Sequence, residues 1–495
     1  MPAIVTNKFR IHNQEQFVES FSEASANVYY MILGRPQAFA TSTRPDSRTE
    51  NEGSDSAPIA APDSVDSEFY AFDEALAAKK ITSSDVSIVI PRRNWTTGTT
   101  YDYYRHDYGR RVTGGTSTQT ADSGATNLFD ATYYVVSSAY NVYKCLDNNS
   151  GAASTVEPTG TSTSILTTGD GYKWKYMYTL TAAQQSNFLS TDFMAVATDS
   201  TVSAAAVDGS LDIVKVKTAG SAYTTSGAAS TGTITSVPIR GDGSSGACTV
   251  TITSGAITSV AITTAGTGYT YGYIRNADIL SQGGGTGSGG ELDVIIGPKG
   301  GHGSNAIKEL GGFFTMLNVN FVGVESGSGS DVTAANDFRN IALIRDPDSG
   351  GTAASATTLR ATKAIRFAAS PTPGTFTVDE EINQATTGAV GKVVEYDSTN
   401  RILYYIQTRF NDEGADSNGN LTAFSGANVV TGQDSSATGT PDTSFSSTVN
   451  GASFTSGYSA SELDSDTGDI MYLEQRAPIT RATDQTENVK LVVEF

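Results

Sequence analysis

The chain has 495 residues, too many for one ordinary core, and its length alone implies about three domains. Its 32 basic and 52 acidic residues leave a net charge of −20, which argues against nucleic acid or an anionic membrane as the main partner and favours basic patches on other proteins. Fifty glycines among abundant Ser, Thr and Ala point to turn-rich β structure, and no stretch is apolar enough to span a membrane. The two cysteines, Cys145 and Cys248, are far apart and imply no disulfide framework, which suits assembly in a reducing cytoplasm. The opening MPAIVTNKFR lacks a long apolar run, so no signal peptide is expected.

In chain order, residues 3–10 read as a short strand, and Phe17 and Phe21 sit one helical turn apart on a short helix. Residues 28–33 are a buried strand, and 41–66 a long polar loop. Phe69, Phe72 and Leu76 predict a helix over 66–80, with Lys79 and Lys80 at its C-terminal end. Residues 88–95 (IVIPRRNW) form a strand ended by Pro91. Arg92 and Arg93 then either dock an acidic neighbour or pair locally. Trp95 and the run Tyr101, Tyr103, Tyr104, Arg105, Tyr108 have the composition of an interface, or of a packed loop lid.

Residues 133–136 and 141–146 read as a strand pair, with Cys145 packed as a small apolar side chain. Gly169-Asp170-Gly171 is a turn before an aromatic strand, and Thr181 with Gln184 forms a capping box for a brief helix ending near Leu189. Two Gly-rich stretches then repeat internally. In the first, over 211–296, a Thr-Ala-Gly motif ending in Tyr223 recurs 46 residues later at Tyr269. In the second, over 372–442, Phe376, Ala389 and Gly391 recur 48 residues on as Phe424, Ala437 and Gly439. Residues 297–303 (GPKGGHG) lack the spacing of a phosphate loop and read as a flexible loop before a helix over 305–310. Residues 313–321 alternate in part, and 392–396 with 402–407 form a hairpin. The C-terminus closes with an apolar run, Ile470 to Leu473, then Arg476 and Pro478, a polar bend at Asp484 to Glu487, and an alternating strand to Phe495.

That ending, with Glu474, Arg476, Pro478 and Ile479 followed by Asp-Gln-Thr-Glu, resembles the C-terminus of the dimeric baseplate wedge subunit of contractile-tailed phages, the gene-product-eight type. The segments at 3–10, 28–35, 88–95, 156–178 and 336–347 are similar to that family as well, so the resemblance covers about 1–200, 310–365 and 457–495 with gaps. It implies a mainly β protein with a β-sandwich-like core and a few short helices. The core spans 1–207, 297–371 and 443–495, interrupted by two inserted Gly/Ser/Thr-rich β-modules at 208–296 and 372–442. It further implies a non-enzymatic virion protein, a homodimer that bridges other wedge proteins and helps transmit the rearrangement that triggers sheath contraction. On this reading Arg92, Arg93, Trp95, Tyr101, Tyr104 and Arg105 are interface candidates, and Glu474 and Arg476 brace the core.

The alternative is a tail module that binds host glycans, with Tyr223, Tyr269, Tyr271 and Tyr273 as a stacking platform unless they fill small β-cores. No catalytic constellation or cofactor motif emerges. His12, His106 and His302 have no zinc spacing, and the acidic runs at Asp464, Asp466 and Asp469 and at Asp412, Asp416, Asn418 and Asn420 lack the closing Glu of a calcium loop, so no metal is expected.

Overall fold

The computed structural model describes residues 4–23, 27–39, 41–43, 49–112, 117–283, 285–323, 330–332, 336–408, 414, 416, 418, 420–482 and 484–495. Its described residues are mainly β, with antiparallel ladders and six short α-helices. The chain divides into two compact units. One comprises Met1–Gln16, Ser87–Met316 and Val492–Phe495; the other comprises Phe17–Val86 and Leu317–Leu491. The first repeat stretch lies in the former and the second in the latter.

In the first unit, strand Asn141–Asp147 sits between Tyr134–Val136 and Lys173–Thr179. Tyr143, Tyr172 and Trp174 pack together on one side of this sheet, sealed from solvent, and Tyr172 stacks on Trp174 at 5.4 Å between centroids. Burying such rings contributes on the order of 1.5–3 kcal/mol each. The Gly-Asp-Gly turn is held by its own side chain. The Asp170 carboxylate accepts N–H groups of Thr155 (2.8 Å), Val156 (3.0 Å) and Tyr172 (3.3 Å). The capping box is present as read: Thr181 and Gln184 exchange side-chain and backbone bonds at the start of helix Ala182–Phe188.

The second unit contains a five-stranded sheet in the order Thr358–Arg360, Ala75–Ile81, Tyr29–Gly34, Phe338–Arg345, Asp469–Ile479. A seven-stranded sheet carries the second repeat, with Ala389–Asp397 and Ile402–Ile406 as its expected hairpin.

Three local expectations fail. The strand read at 3–10 is instead the entry to helix Asn7–Glu19; Ala3 lies outside the described residues. Thr6 starts the helix, its hydroxyl accepting the Phe9 N–H at 3.3 Å, and Ile11 and Gln14 bury one helical face. The helix read over 66–80 ends at Asp73, and Ala75–Ile81 is a strand. Alanine and leucine favour helix locally, but here Ala75, Leu76, Ala77 and Ala78 are at most 1 % exposed in the middle of a sheet, and tertiary pairing overrides propensity. The loop read at 41–66 holds short strand pairs, among them Gly53–Ser54 with Ala57–Pro58.

Both repeats fold as reciprocal halves. In the first, the Tyr223 N–H bonds the Gly255 carbonyl at 3.0 Å, and the Tyr269 N–H bonds Gly209, its counterpart 46 residues earlier, at 3.2 Å. The two phenol oxygens accept equivalent N–H groups, Gly290 to Tyr223 and Gly246 to Tyr269, each at 3.0 Å. Such exchange, i with j and j with i, is what a local two-fold axis produces. The repeated glycines serve this packing. Gly220 and Gly266 share a left-handed φ of 62° and 64°, and a Cβ on Gly287 or Gly243 would meet the Tyr223 or Tyr269 ring at 2.4 Å. In the second repeat, Ile382 faces Gly391 and Val430 faces Gly439 in the same register, while the equivalent residues Asn383 and Thr431 pair with each other. The buried side chains of 211–296 form a core of their own.

Candidate interaction surface

The IVIPRRNW segment leaves strand Val86–Pro91 and delivers its two arginines to the chain's own carbonyls. Arg92 donates to Asn94 Oδ1 and to the Ser190 carbonyl, both at 2.9 Å. Arg93 donates to the Ala131 and Phe129 carbonyls and lies over the Tyr134 ring at 4.5 Å. Trp95 donates its indole N–H to Ser154 Oγ at 3.1 Å and stays half-buried. Tyr101, Tyr104 and Arg105, read as interface anchors, are only 4–5 % exposed. Arg105 grips Asp107 with two bonds, 2.8 and 3.1 Å, and Asp293 with a third, 2.6 Å. Burial disfavours its charge, yet these partners outweigh burial and raise its pKa above the usual arginine value. The spacing of these residues carried no burial signal. The sheet behind them absorbs the aromatic faces, and the lid alternative is the one the geometry matches.

A second polar cluster, overlooked in the sequence, lies deeper. Lys144, fully buried on strand Asn141–Asp147, donates to Glu309 on helix Ala306–Leu310. The glycine-rich segment at 297–303 leads into a cradle for this same carboxylate. Glu309 accepts the Gly303 N–H at 2.9 and 3.1 Å and the Asn305 N–H at 3.1 Å. The segment read as a flexible loop thus serves an internal anion. His302 packs edge-on to Tyr104 at 4.8 Å, with Nε2 3.8 Å from Asp212. Burial, then Lys144 and Lys175, push its pKa well below 6.5. Burial also lowers the Lys144 pKa, opposed by Glu309. The sequence hint was a Lys between Tyr143 and Cys145 in an apolar strand, and its partner lies 165 residues away.

The proposed tyrosine platform separates. Tyr223 and Tyr269 are buried plugs of the first repeat, with Tyr269 Oη donating to the Ile239 carbonyl at 3.0 Å, so neither can stack on a ligand. Tyr271 and Tyr273 are exposed. In the acidic runs, Asp416 accepts the N–H groups of Asn418 and Asn420, Asp464 that of Gly351, and Asp469 pairs with Arg345. Asp412 lies outside the described residues.

On the C-terminal segment, Glu474 and Arg476 lie two apart on strand Asp469–Ile479 but do not brace each other. Glu474 accepts the Tyr472 hydroxyl at 2.9 Å. Arg476 Nε is sealed from solvent without a hydrogen-bond partner, and its guanidinium forms no ion pair among the described residues. The buried pair there is Arg481 with Glu487, at 2.7 Å. An i, i+2 pair projects side by side from a strand, and Tyr472 occupies the carboxylate first. Both Glu474 and Arg476 line a cleft of about 440 Å³ with Phe338, Ile341, Ile479 and Leu491.

The chain is thus a mainly β protein in which Arg92, Arg93, Arg105 and the aromatics around them are engaged by its own frame. Residues 3–156 match the family model described as Bacteriophage T4, Gp8. Over these residues the chain is thus similar to the gene-product-eight type baseplate wedge subunit, as the sequence resemblance implied. No curated protein matches the chain.

Proposed function

We propose that the protein works as a homodimer within a baseplate wedge, bridging neighbouring wedge proteins and passing on the rearrangement that triggers sheath contraction. It assembles in the host cytoplasm before joining the virion. The observation that carries this reading is the family match over residues 3–156. Its internal cross-ties support it: Arg92, Arg93 and Arg105 join segments separated in sequence, as a part that transmits force requires. The two repeats are insertions into that core in this reading, each burying its own apolar residues. The partners are other baseplate proteins, with neither nucleic acid nor membrane among them; among the described residues no helix is long and apolar enough to cross a membrane.

The test is the solution mass of the purified chain by light scattering, alone and mixed with the wedge proteins of the same phage. A dimer that enters a larger complex is the expected result. A monomer that ignores those proteins overturns the proposal.

A further inference from the structure

We propose that the cleft beside strand Asp469–Ile479 seats an extended segment of a partner protein and that Arg476 receives a carboxylate side chain of that segment. Three observations carry this. First, Asp469–Ile479 is the outer strand of its sheet, paired on one side with Phe338–Arg345. An edge strand presents ladder N–H and C=O groups to a further strand where its flank is open; here Ala57–Pro58 packs near the strand and residues 61–68 lie beside 470–473, away from the cleft's 474–491. Second, the cleft along residues 474–491 has about 440 Å³, inside the ~300–1,000 Å³ range of binding clefts. Its walls combine Phe338, Ile341, Ile479 and Leu491 with polar groups, which suits a strand of alternating apolar and charged residues.

Third, Arg476 brings a positive charge without an ion pair among the described residues to the cleft. Glu487 pairs with Arg481 through one oxygen while its Oε2 has no partner, Glu474 accepts the neutral Tyr472 hydroxyl, and Lys490 lines the same cleft. Arg476 has neither an ion pair nor an Nε partner among the described residues. Leaving a half-buried guanidinium unmatched costs stability unless an anion completes it. The planar fork of arginine fits a carboxylate with two parallel bonds, so an Asp or Glu side chain of the incoming strand is the complement. The claim is independent of the wedge reading, since it requires only a partner segment of this chemistry.

The experiment uses the full-length chain and fluorescein-labelled peptides alternating valine with glutamate, with glutamine or with lysine, read by fluorescence anisotropy. The glutamate peptide is expected to bind, and the glutamine peptide to bind about tenfold more weakly. Arg476→Gln lowers affinity for the glutamate peptide to the glutamine level, and Arg476→Glu transfers preference to the lysine peptide. Lys217→Gln, at an exposed position of the first repeat, changes nothing. Equal binding of all three peptides, or unchanged binding by Arg476→Gln, overturns the proposal. A photoreactive glutamate peptide tests the same claim on the unaltered chain. Crosslinks within 469–491 support it, and crosslinks elsewhere overturn it.

Discussion

Arg105 and Arg476 both stand on segments where the sequence resembles wedge proteins, and the structure treats them oppositely. Arg105 is almost wholly buried and shares Asp107 and Asp293 through three bonds. Arg476 is half-buried, and its Nε has no partner. The same contrast separates the Lys144–Glu309 pair, closed on every side, from the cleft at the C-terminal strands. A satisfied buried charge holds a fold in one arrangement. An unsatisfied one is a cost that a partner removes.

Breaking the closed cluster gives the largest effect. Lys144→Met leaves Glu309 buried without its cation and lowers unfolding free energy by about 3–5 kcal/mol in denaturant titration. If the loss is under about 1 kcal/mol, the pair is not the internal brace drawn here. Next come the repeat plugs. Tyr269→Phe strips the partner from the Gly246 N–H and the Ile239 carbonyl and costs about 1–3 kcal/mol. Tyr223→Phe costs a similar amount, because Tyr223 holds the matching place. A large difference between the two would deny the two-fold likeness of the halves.

The pH response sharpens the contrast further. His302 has a folded pKa well below its ordinary 6.5, so the unfolded chain binds the extra proton first as pH falls. Its contribution is complete above pH 6.5 and is lost progressively below it. Thermal midpoints measured between pH 7 and 5 therefore decline, and His302→Phe makes that decline shallower. The smallest effect is at the open cleft. Arg476→Leu shifts stability by no more than about 0.5 kcal/mol, or raises it, because no ion pair is lost. A loss approaching that of Lys144→Met would make Arg476 a brace after all.

Much of the frame was legible residue by residue. The Thr181 capping box, the Gly-Asp-Gly turn, the hairpin before Gln407 and both repeat offsets depend on near neighbours or on periodicity, which a sequence displays directly. The candidate surface was less so. Tyr101, Tyr104 and Arg105 have interface composition, but whether they face a partner or a core depends on a strand 40 residues later and on Asp293. Glu474 and Arg476 look like a pair until Tyr472 claims the carboxylate.

By itself the sequence determined the β class, the repeated modules and the resemblance to a wedge subunit, because alternation, turn chemistry and recurrence are local signals. Only the tertiary structure decided that Ala75–Ile81 is a strand, that the glycine-rich segment cradles the Glu309 carboxylate, and that Arg476 has no ion pair among the described residues. Each of those outcomes turns on which distant groups share a buried volume, where desolvation and pairing outweigh propensity, and no spacing along the chain encodes that directly.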